Sequence, residues 1–437
     1  MSKNIFVVGF MLFAIFFGAG NLIFPPKLGF ESGSAFWLSI TGFVLTGVGL
    51  PLLGIIVSAF YNGGYKEALK QIHPLFSLIF LIAIYLAIGP FFAGPRTGAT
   101  AYEIAIVPFV GEPGVLSKFI FCLIYFGVTL WLSLNPSKMV DRIGAILTPI
   151  LLLTIIALVL RASFLLSGNT AVTAPAESEN HFFKGIINGY FTMDALASLA
   201  YSVIVINAIK AKSAVDSSLQ KQTIAAGVVA AVALGVIYIS LGWVGNNLPI
   251  DAQTLTELSE KNQDLGTYIL NSSAALTFGE LGRTLLGVIV SLACLTTAVG
   301  LAVSVSEYFN EIFPRISYKT YVILFCVISF AIANLGLKEV ISTSLPVLLV
   351  LYPISMTVIL LLLINLFMPL PLLAHRLSLG LVSTVAILSV IGVGKIEFIE
   401  QLPLKSYSME WLPFAAAGLL IGYLLQGIRG KSKKVVR

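Results

Sequence analysis

"FFGAGNLIFPP", residues Phe16–Pro26, lies inside the first long apolar run of the chain. Glycine and proline are the two poorest helix formers, yet Gly18, Gly20, Pro25 and Pro26 crowd into a run long enough to cross a membrane. A backbone N–H or C=O left unpaired in hydrocarbon costs several kcal/mol. Irregular backbone at membrane depth is therefore tolerated only where it is buried in protein or lines a polar cavity. Glycines alone would also suit close helix packing through small residues. Asn21 directly after them, and the two prolines beyond, favour a true break in the helix.

The rest of the chain supplies the context that such a break requires. Of 437 residues, 58% are hydrophobic and 11% are charged, against about 25% charged in a soluble domain. The apolar residues come in blocks of roughly 18–25, each long enough to span ~30 Å of hydrocarbon as a helix. This is the composition of an all-α polytopic membrane protein. Cys122, Cys294 and Cys326 lie within apolar runs, and an odd, widely spaced set suits neither a disulfide framework nor a zinc site. The net charge of +6 is spread over short connections, which points to membrane topology rather than to nucleic acid. The first run follows Lys3 and has the look of a signal peptide. A removed leader would not need the matching irregularity found deep in the chain.

Apolar blocks bounded by charges or Gly/Pro-rich breaks give about twelve spans, near 5–30, 35–60, 75–110, 117–135, 143–166, 186–209, 223–245, 280–310, 319–336, 340–367, 377–394 and 411–428. With the N-terminus in the cytoplasm, the inner segments hold Lys3, Lys66, Lys70, Lys138, Arg142, Lys210, Lys212, Lys221, Arg315, Lys319, Arg376 and the tail residues Arg429, Lys431, Lys433, Lys434 and Arg437. These are most of the 26 basic residues. The longest connections, 167–185 and 246–279, then fall outside and carry Glu177, Glu179, Asp251, Glu257, Glu260 and Asp264. Both termini are expected inside. The 246–279 connection is long enough to carry short helices over the outer face, and 395–410 forms a smaller outer loop. No separate soluble domain is expected.

A second irregular span is "GYFTMDALASLAYSVIVINAI", residues 189–209, with Asp194, Ser198, Tyr201 and Ser202 inside an apolar run. An acid within a span is costly and usually functional, although backbone N–H groups alone could satisfy it. The two irregular spans are the first and the sixth. An offset of five inverts the second copy, and two interrupted spans at matching places are the best sequence pointer to an inverted-repeat secondary transporter. The expected organisation is a first repeat over 5–166, a second over 186–367, two additional spans over 377–428 and a basic cytoplasmic tail over 429–437. Broken helix ends offer N–H groups to an anion and C=O groups to a cation. An amino acid zwitterion needs both.

"FFGAGNLIFPP" and "YFTMDALASLAYSVIVINAIK" together resemble the branched-chain amino acid:cation symporter family of bacteria, as does "IGPFFAGPRTGA" (88–99) in the third span. The resemblance runs along essentially the whole chain. The family is distantly related to carriers of the leucine-transporter fold, whose first span "GAGNLIFPPKLGFESGSAF" also resembles. "ACLTTAVGLAVSVSEYF" (293–309) looks like their eighth span. The resemblance implies a Na⁺ site made of carbonyls of Ala14, Phe17 and Ala293 with the hydroxyls of Thr296 and Thr297. Oxygen ligands suit a hard cation; the plainer role for the two threonines is back-bonding to the preceding turn. The resemblance further places the substrate carboxylate at the N–H groups near Gly18, Ala19, Gly20 and Asn21. It places the ammonium at carbonyls of Ala197, Ser198 and Leu199, with Tyr201 and Tyr85 beside an apolar side-chain pocket. A second sodium site would use Asn21, but the aligned sixth-span position is Leu196, which has no side-chain oxygen.

Arg96 and Glu103 in the third span, with Asp194, are candidates for a gate or for proton coupling; an outward-snorkelling arginine is the plainer reading. His73, His181 and His375 fall in predicted connections without metal-ligand spacing and read as solvated. No Gly-x-x-x-x-Gly-Lys-[Ser/Thr] motif occurs, so no ATPase is built in. No catalytic dyad or metal cluster marks an enzyme. The expected function is uptake of leucine, isoleucine and valine across a bacterial cell membrane. Na⁺ is the coupling ion, and no cofactor, nucleic acid or obligate protein partner is called for. The alternatives are proton coupling through Asp194, another small apolar solute, or a channel or sensor. The basic tail is expected to touch anionic lipid.

Overall fold

A computed structural model describes residues 3–111, 114–135, 138–169, 180–212, 219–392, 397–429 and 435. Glu177, Glu179, Lys431, Lys433, Lys434 and Arg437 lie outside them. The first expected span is two helices, α1 (Lys3–Phe16) and α2 (Ala19–Ser32). The second is α3 (Phe36–Val44) and α4 (Leu50–Ser58), joined by a π-helical turn at Leu45–Gly49. A connecting helix, α5 (Gly64–Ile72), precedes the third, which is α6 (Pro74–Leu86), a π-helical turn at Ala87–Phe91, α7 (Ala93–Ala105) and the single turn α8 (Val107–Val110). Then come α9 (Val115–Leu134) and α10 (Lys138–Leu166). The sixth region is again two helices, α11 (His181–Tyr190) and α12 (Asp194–Lys212).

The remainder is α13 (Leu219–Asn247), α14 (Ala252–Glu260), α15 (Leu265–Ile312), α16 (Tyr318–Ala333), α17 (Leu337–Phe367), α18 (Leu372–Ile391), the short α19 (Glu397–Glu400) and α20 (Trp411–Arg429). Among the described residues, eight helical stretches are long and apolar enough to cross a bilayer, and α16 and α20 are shorter apolar helices. The 31 residues of α17 would reach about 46 Å if straight, more than a bilayer needs; Pro346 and Pro353 lie inside it, where tilts or kinks arise.

The surface is apolar where a soluble protein would be charged: Trp37, Leu281, Phe367 and Leu424 are among many large hydrophobics left exposed. Lipid is the solvent for such a surface. Inside, the backbones approach closely through glycine. A Cβ at Gly29 would lie 2.7 Å from the carbonyl carbon of Gly242, and one at Gly245 would lie 2.6 Å from that of Pro26. These contacts press α2 against α13. Gly418 and Gly422, a small-xxx-small pair, do the same for α20 against α18: a Cβ at Gly418 would stand 2.5 Å from Ser378 Cα.

Polar contacts gather the connections into two groups. In one, Lys66 pairs with Glu311 at 2.5 Å and Arg376 Nε donates to Ile72 O at 2.7 Å. In the other, Asn246 donates to Gly29 O and Gly33 O, both at 2.8 Å, Asn169 donates to Asn247 O at 3.1 Å, and Lys27 lies 3.7 Å from Asp264. Glu103 belongs to that second group. Its Oε2 accepts from Asp264 N–H at 3.0 Å and Thr267 Oγ1 at 2.6 Å. The 246–279 connection contains α14 and the first part of α15. Asp251 caps α14 by accepting from Thr254 N–H at 2.6 Å, which lowers its carboxyl below the usual range. The eighth expected span starts earlier than its apolar block: α15 begins at Leu265, and Gly279, at φ 67°, marks the kink that separates this polar entry from the span proper.

His375 corrects an expectation. It is buried inside α18, with Nδ1 3.2 Å from Pro371 O, because the helix starts at Leu372 behind Pro371 rather than after Arg376.

Candidate functional site

The first break falls at Phe17–Gly18. Gly18 is extended, at φ −111° and ψ −170°. In a continuous helix Gly18 N–H would bond to Ala14 O and Asn21 N–H to Phe17 O. Instead Gly18 N–H donates to Asn21 Oδ1 at 3.2 Å, and Asn21 N–H donates to Gly18 O at 3.2 Å. The carbonyls of Ala14 and Phe17 thus lose their helical donors. The first N–H groups of α2, those of Ala19 and Gly20, have no intrahelical acceptor, as at any helix start. Pro25 and Pro26 do not make the break; α2 runs through both. Lacking N–H groups, they leave the carbonyls of Asn21 and Leu22 without helical partners.

The second break is at Phe191–Met193. Met193 holds φ 63°, a left-handed conformation that costs a non-glycine residue about 1–3 kcal/mol. It is buried at 2% exposure. Its N–H bonds Tyr190 O at 3.1 Å and its carbonyl accepts from Ala197 N–H at 3.0 Å. Asp194 opens α12 immediately after. The residues expected to meet the ammonium lie a turn further on. Ala197, Ser198 and Leu199 lie within α12, where carbonyls serve the helix. The Ser198 hydroxyl bonds back to Ala195 O at 2.7 Å and packs against Gly54, away from the break. The backbone between the two helices at the break is that of Phe191, Thr192 and Met193.

A polar cluster ties the two breaks together. Asn21 Nδ2 donates to Asp194 Oδ2 at 2.6 Å and is also bonded to the Tyr238 hydroxyl of α13; Tyr238 in turn donates to Asp194 Oδ2 at 3.4 Å. All three side chains are buried. Tyr238 was not legible as a site residue; a tyrosine in the apolar stretch "ALGVIYISL" signals burial but not its partner.

Arg96 does not snorkel. It is 2% exposed, its guanidinium lies 5.1 Å from the centre of the Phe24 ring, and Nη1 donates to Phe191 O at the second break. Phe24 and Phe191 stack at 5.3 Å, so aromatic rings from both breaks meet beside it. Glu103 is not part of this group; it anchors the entry to α15. Tyr201 and Tyr85 do come together, ring centres 6.2 Å apart, with Tyr308 of α15 stacked on Tyr85 at 4.0 Å. Tyr85 hydroxyl donates to Ala200 O at 2.9 Å.

The threonine pair sits on α15 beside the first break. Thr296 and Thr297 hydroxyls both donate to Ala293 O, at 2.8 and 3.1 Å, so three oxygens are clustered. A Cβ built at Gly18 would lie 3.9 Å from Thr297 Cγ2. The back-bonded geometry is therefore present, and it is present next to the residue where the helix opens. Among the described residues no group of three or more His, Cys, Asp or Glu could hold a metal.

Residues 1–429 match the family model described as branched-chain amino acid transport protein. A protein of Staphylococcus saprophyticus is 51% identical over 443 residues, covering 100% of this chain and 99% of its own. One from Staphylococcus haemolyticus is 52% identical over 433 residues, covering 97% of each. Both are named branched-chain amino acid carrier proteins. Among solved structures, the inward-facing conformation of Mhp1 is similar with a TM-score of 0.63 at 14% identity, covering 96% of this chain and 89% of that one. MhsT in complex with L-phenylalanine gives 0.56 at 17% identity, covering 97% and 98%. At such identities the likeness establishes the fold alone, that of leucine-transporter-type membrane carriers. The chain belongs to the branched-chain amino acid transport protein family, whose members are carriers and not enzymes.

Proposed function

We propose that this chain is a secondary active symporter that brings leucine, isoleucine and valine into a bacterium, driven by Na⁺. The observation that carries the coupling is the diversion of two donors at the first break. With Gly18 N–H and Asn21 N–H bonded elsewhere, the carbonyls of Ala14 and Phe17 lose their helical donors at a break whose Gly18 faces Thr297. Na⁺ as cargo would take these carbonyls with Ala293 O, Thr296 Oγ1 and Thr297 Oγ1, an all-oxygen shell. The substrate would lie between the two breaks, its carboxylate toward the α2 N-terminus at Gly18, Ala19, Gly20 and Asn21. Its apolar side chain would run toward Tyr201, Tyr85 and Tyr308.

The accompanying organisation is a 5+5 inverted repeat over 5–166 and 186–367, with two further spans and a basic tail. Both termini would be cytoplasmic in the bacterial plasma membrane. Alternating access would rock one bundle against the other around the fixed site. The face that holds Lys66, Glu311 and Arg376 would be the inner one.

A second reading, proton coupling through Asp194, is favoured by that acid's burial and its hydrogen bonds from Asn21 and Tyr238 at the seam of both breaks. Counterflow separates a carrier from a channel. Proteoliposomes loaded with unlabelled leucine should transiently accumulate labelled leucine above the external level; simple equilibration would count against a carrier.

A further inference from the structure

Arg96 stands one turn into α7, just after the irregular backbone of "GPFFAGPR". The two breaks fix its guanidinium from three sides. Nη1 donates to Phe191 O, the Phe24 ring lies against it, and Nη1 is 3.1 Å from where a Cβ of Gly20 would stand. The other side is different. Nε and Nη2 are both buried and have no hydrogen-bond partner among the described residues.

Those two nitrogens share one edge of the planar guanidinium, the edge that receives a carboxylate through two parallel hydrogen bonds. Among the described residues no buried acid fills it. Asp194 makes no ion pair with Arg96; its Oδ2 is taken by Asn21 and Tyr238. Glu103 is held by Asp264 N–H and Thr267. A buried cation with an unpaired edge is strongly unfavourable unless a counter-charge completes it. A zwitterion seated between the breaks brings that counter-charge.

We propose that Arg96 binds the carboxylate of the transported amino acid through Nε and Nη2, beside the N–H groups of the α2 N-terminus. The inference rests on the reading of the substrate as an amino acid held between the breaks. It also explains why the arginine is locked to Phe191 O: the lock aims the free edge and ties substrate binding to the second break.

The test compares leucine with leucinamide, which keeps the side chain and the amine but replaces the carboxylate with a neutral amide. Equilibrium binding is measured on purified wild type, Arg96→Gln and Arg96→Lys. Wild type should prefer leucine, and both variants should weaken leucine by at least about 30-fold, as loss of charge-assisted hydrogen bonds does. They should leave leucinamide within about threefold of wild type, because that ligand never used the bidentate edge. A structural role alone would weaken both ligands alike and would overturn the inference. So would a variant that binds leucine like wild type, or a wild type that binds both ligands equally, a result that needs no variant to fold. Wild-type protein that transports no branched-chain amino acid would defeat the substrate reading itself, which separates the two failures.

Discussion

Replacing Asn21 with Ala should loosen the seam between the two breaks. Asn21 Nδ2 donates to Asp194 Oδ2 at 2.6 Å, with both residues at 5% exposure or less. A hydrogen bond to a charged group contributes about 1.5–3 kcal/mol, and the neutral bond from Gly18 N–H to Asn21 Oδ1 adds about 0.5–1.5 kcal/mol. The expected loss is therefore ~2–4.5 kcal/mol. Some of it comes from leaving the buried Asp194 carboxyl without its shortest hydrogen bond, the one from Tyr238 being 3.4 Å long. In an Asp194→Asn background the charged part is already gone, so Asn21→Ala should cost about 1–2 kcal/mol, a neutral hydrogen bond and its geometry. The double-mutant cycle on leucine affinity should then show a coupling of ~1–2 kcal/mol, roughly 5- to 30-fold. The assay is equilibrium binding of labelled leucine to purified wild type, both single variants and the double variant. Additivity within about 0.5 kcal/mol, the usual scatter for independent sites, would refute the claim that this bond shapes the site.

Three further outcomes follow from the geometry. Thr297→Ala should raise the Na⁺ needed for half-maximal leucine uptake about tenfold or more, since one charge-assisted oxygen contact is worth ~1.5–3 kcal/mol; Thr297→Ser should stay close to wild type, and equal defects in both would remove the hydroxyl from the cation shell. Gly20→Leu should abolish leucine binding in a folded, inserted protein, because even a Cβ there would lie 3.0 Å from the Phe24 ring and 3.1 Å from Arg96 Nη1; near-normal binding would reduce "GAG" to a packing face. For topology, a cysteine at Gln253 should react with an impermeant thiol reagent added outside intact cells and one at Arg315 should not, with the reverse pattern overturning the assigned orientation.

The positions of the helices were readable because apolar blocks and charge breaks record the bilayer directly. The first break was readable from Gly18, Gly20 and Asn21, although the sequence also implicated Pro25 and Pro26, which α2 absorbs. The second break was located only to its neighbourhood. Ala197 and Ser198 look like the small residues of an opened helix, but both lie inside α12, where Ser198 packs against Gly54. The residue that turns the chain is Met193, and nothing about a methionine announces a positive φ. Asp194 was legible as a buried acid, whereas its partner Tyr238 was not, since periodicity gives burial and not the identity of a contact 44 residues away. Arg96 was legible as an anomaly, and only the fold shows which way its free edge is left. His375 was misplaced because the adjacent Arg376 suggested a connection; that arginine instead reaches Ile72 O while its neighbour turns inward.

The central claim is that movement of a branched-chain amino acid is driven by Na⁺ held at the first break. Leucine uptake into proteoliposomes, with Na⁺ and H⁺ gradients imposed separately and the membrane potential clamped, tests it most directly. An inward Na⁺ gradient at equal pH should drive accumulation that Thr297→Ala weakens, and an inward H⁺ gradient without Na⁺ should not. Accumulation driven by H⁺ alone, indifferent to Na⁺ and lost in Asp194→Asn, would contradict the account and place the coupling at the acid.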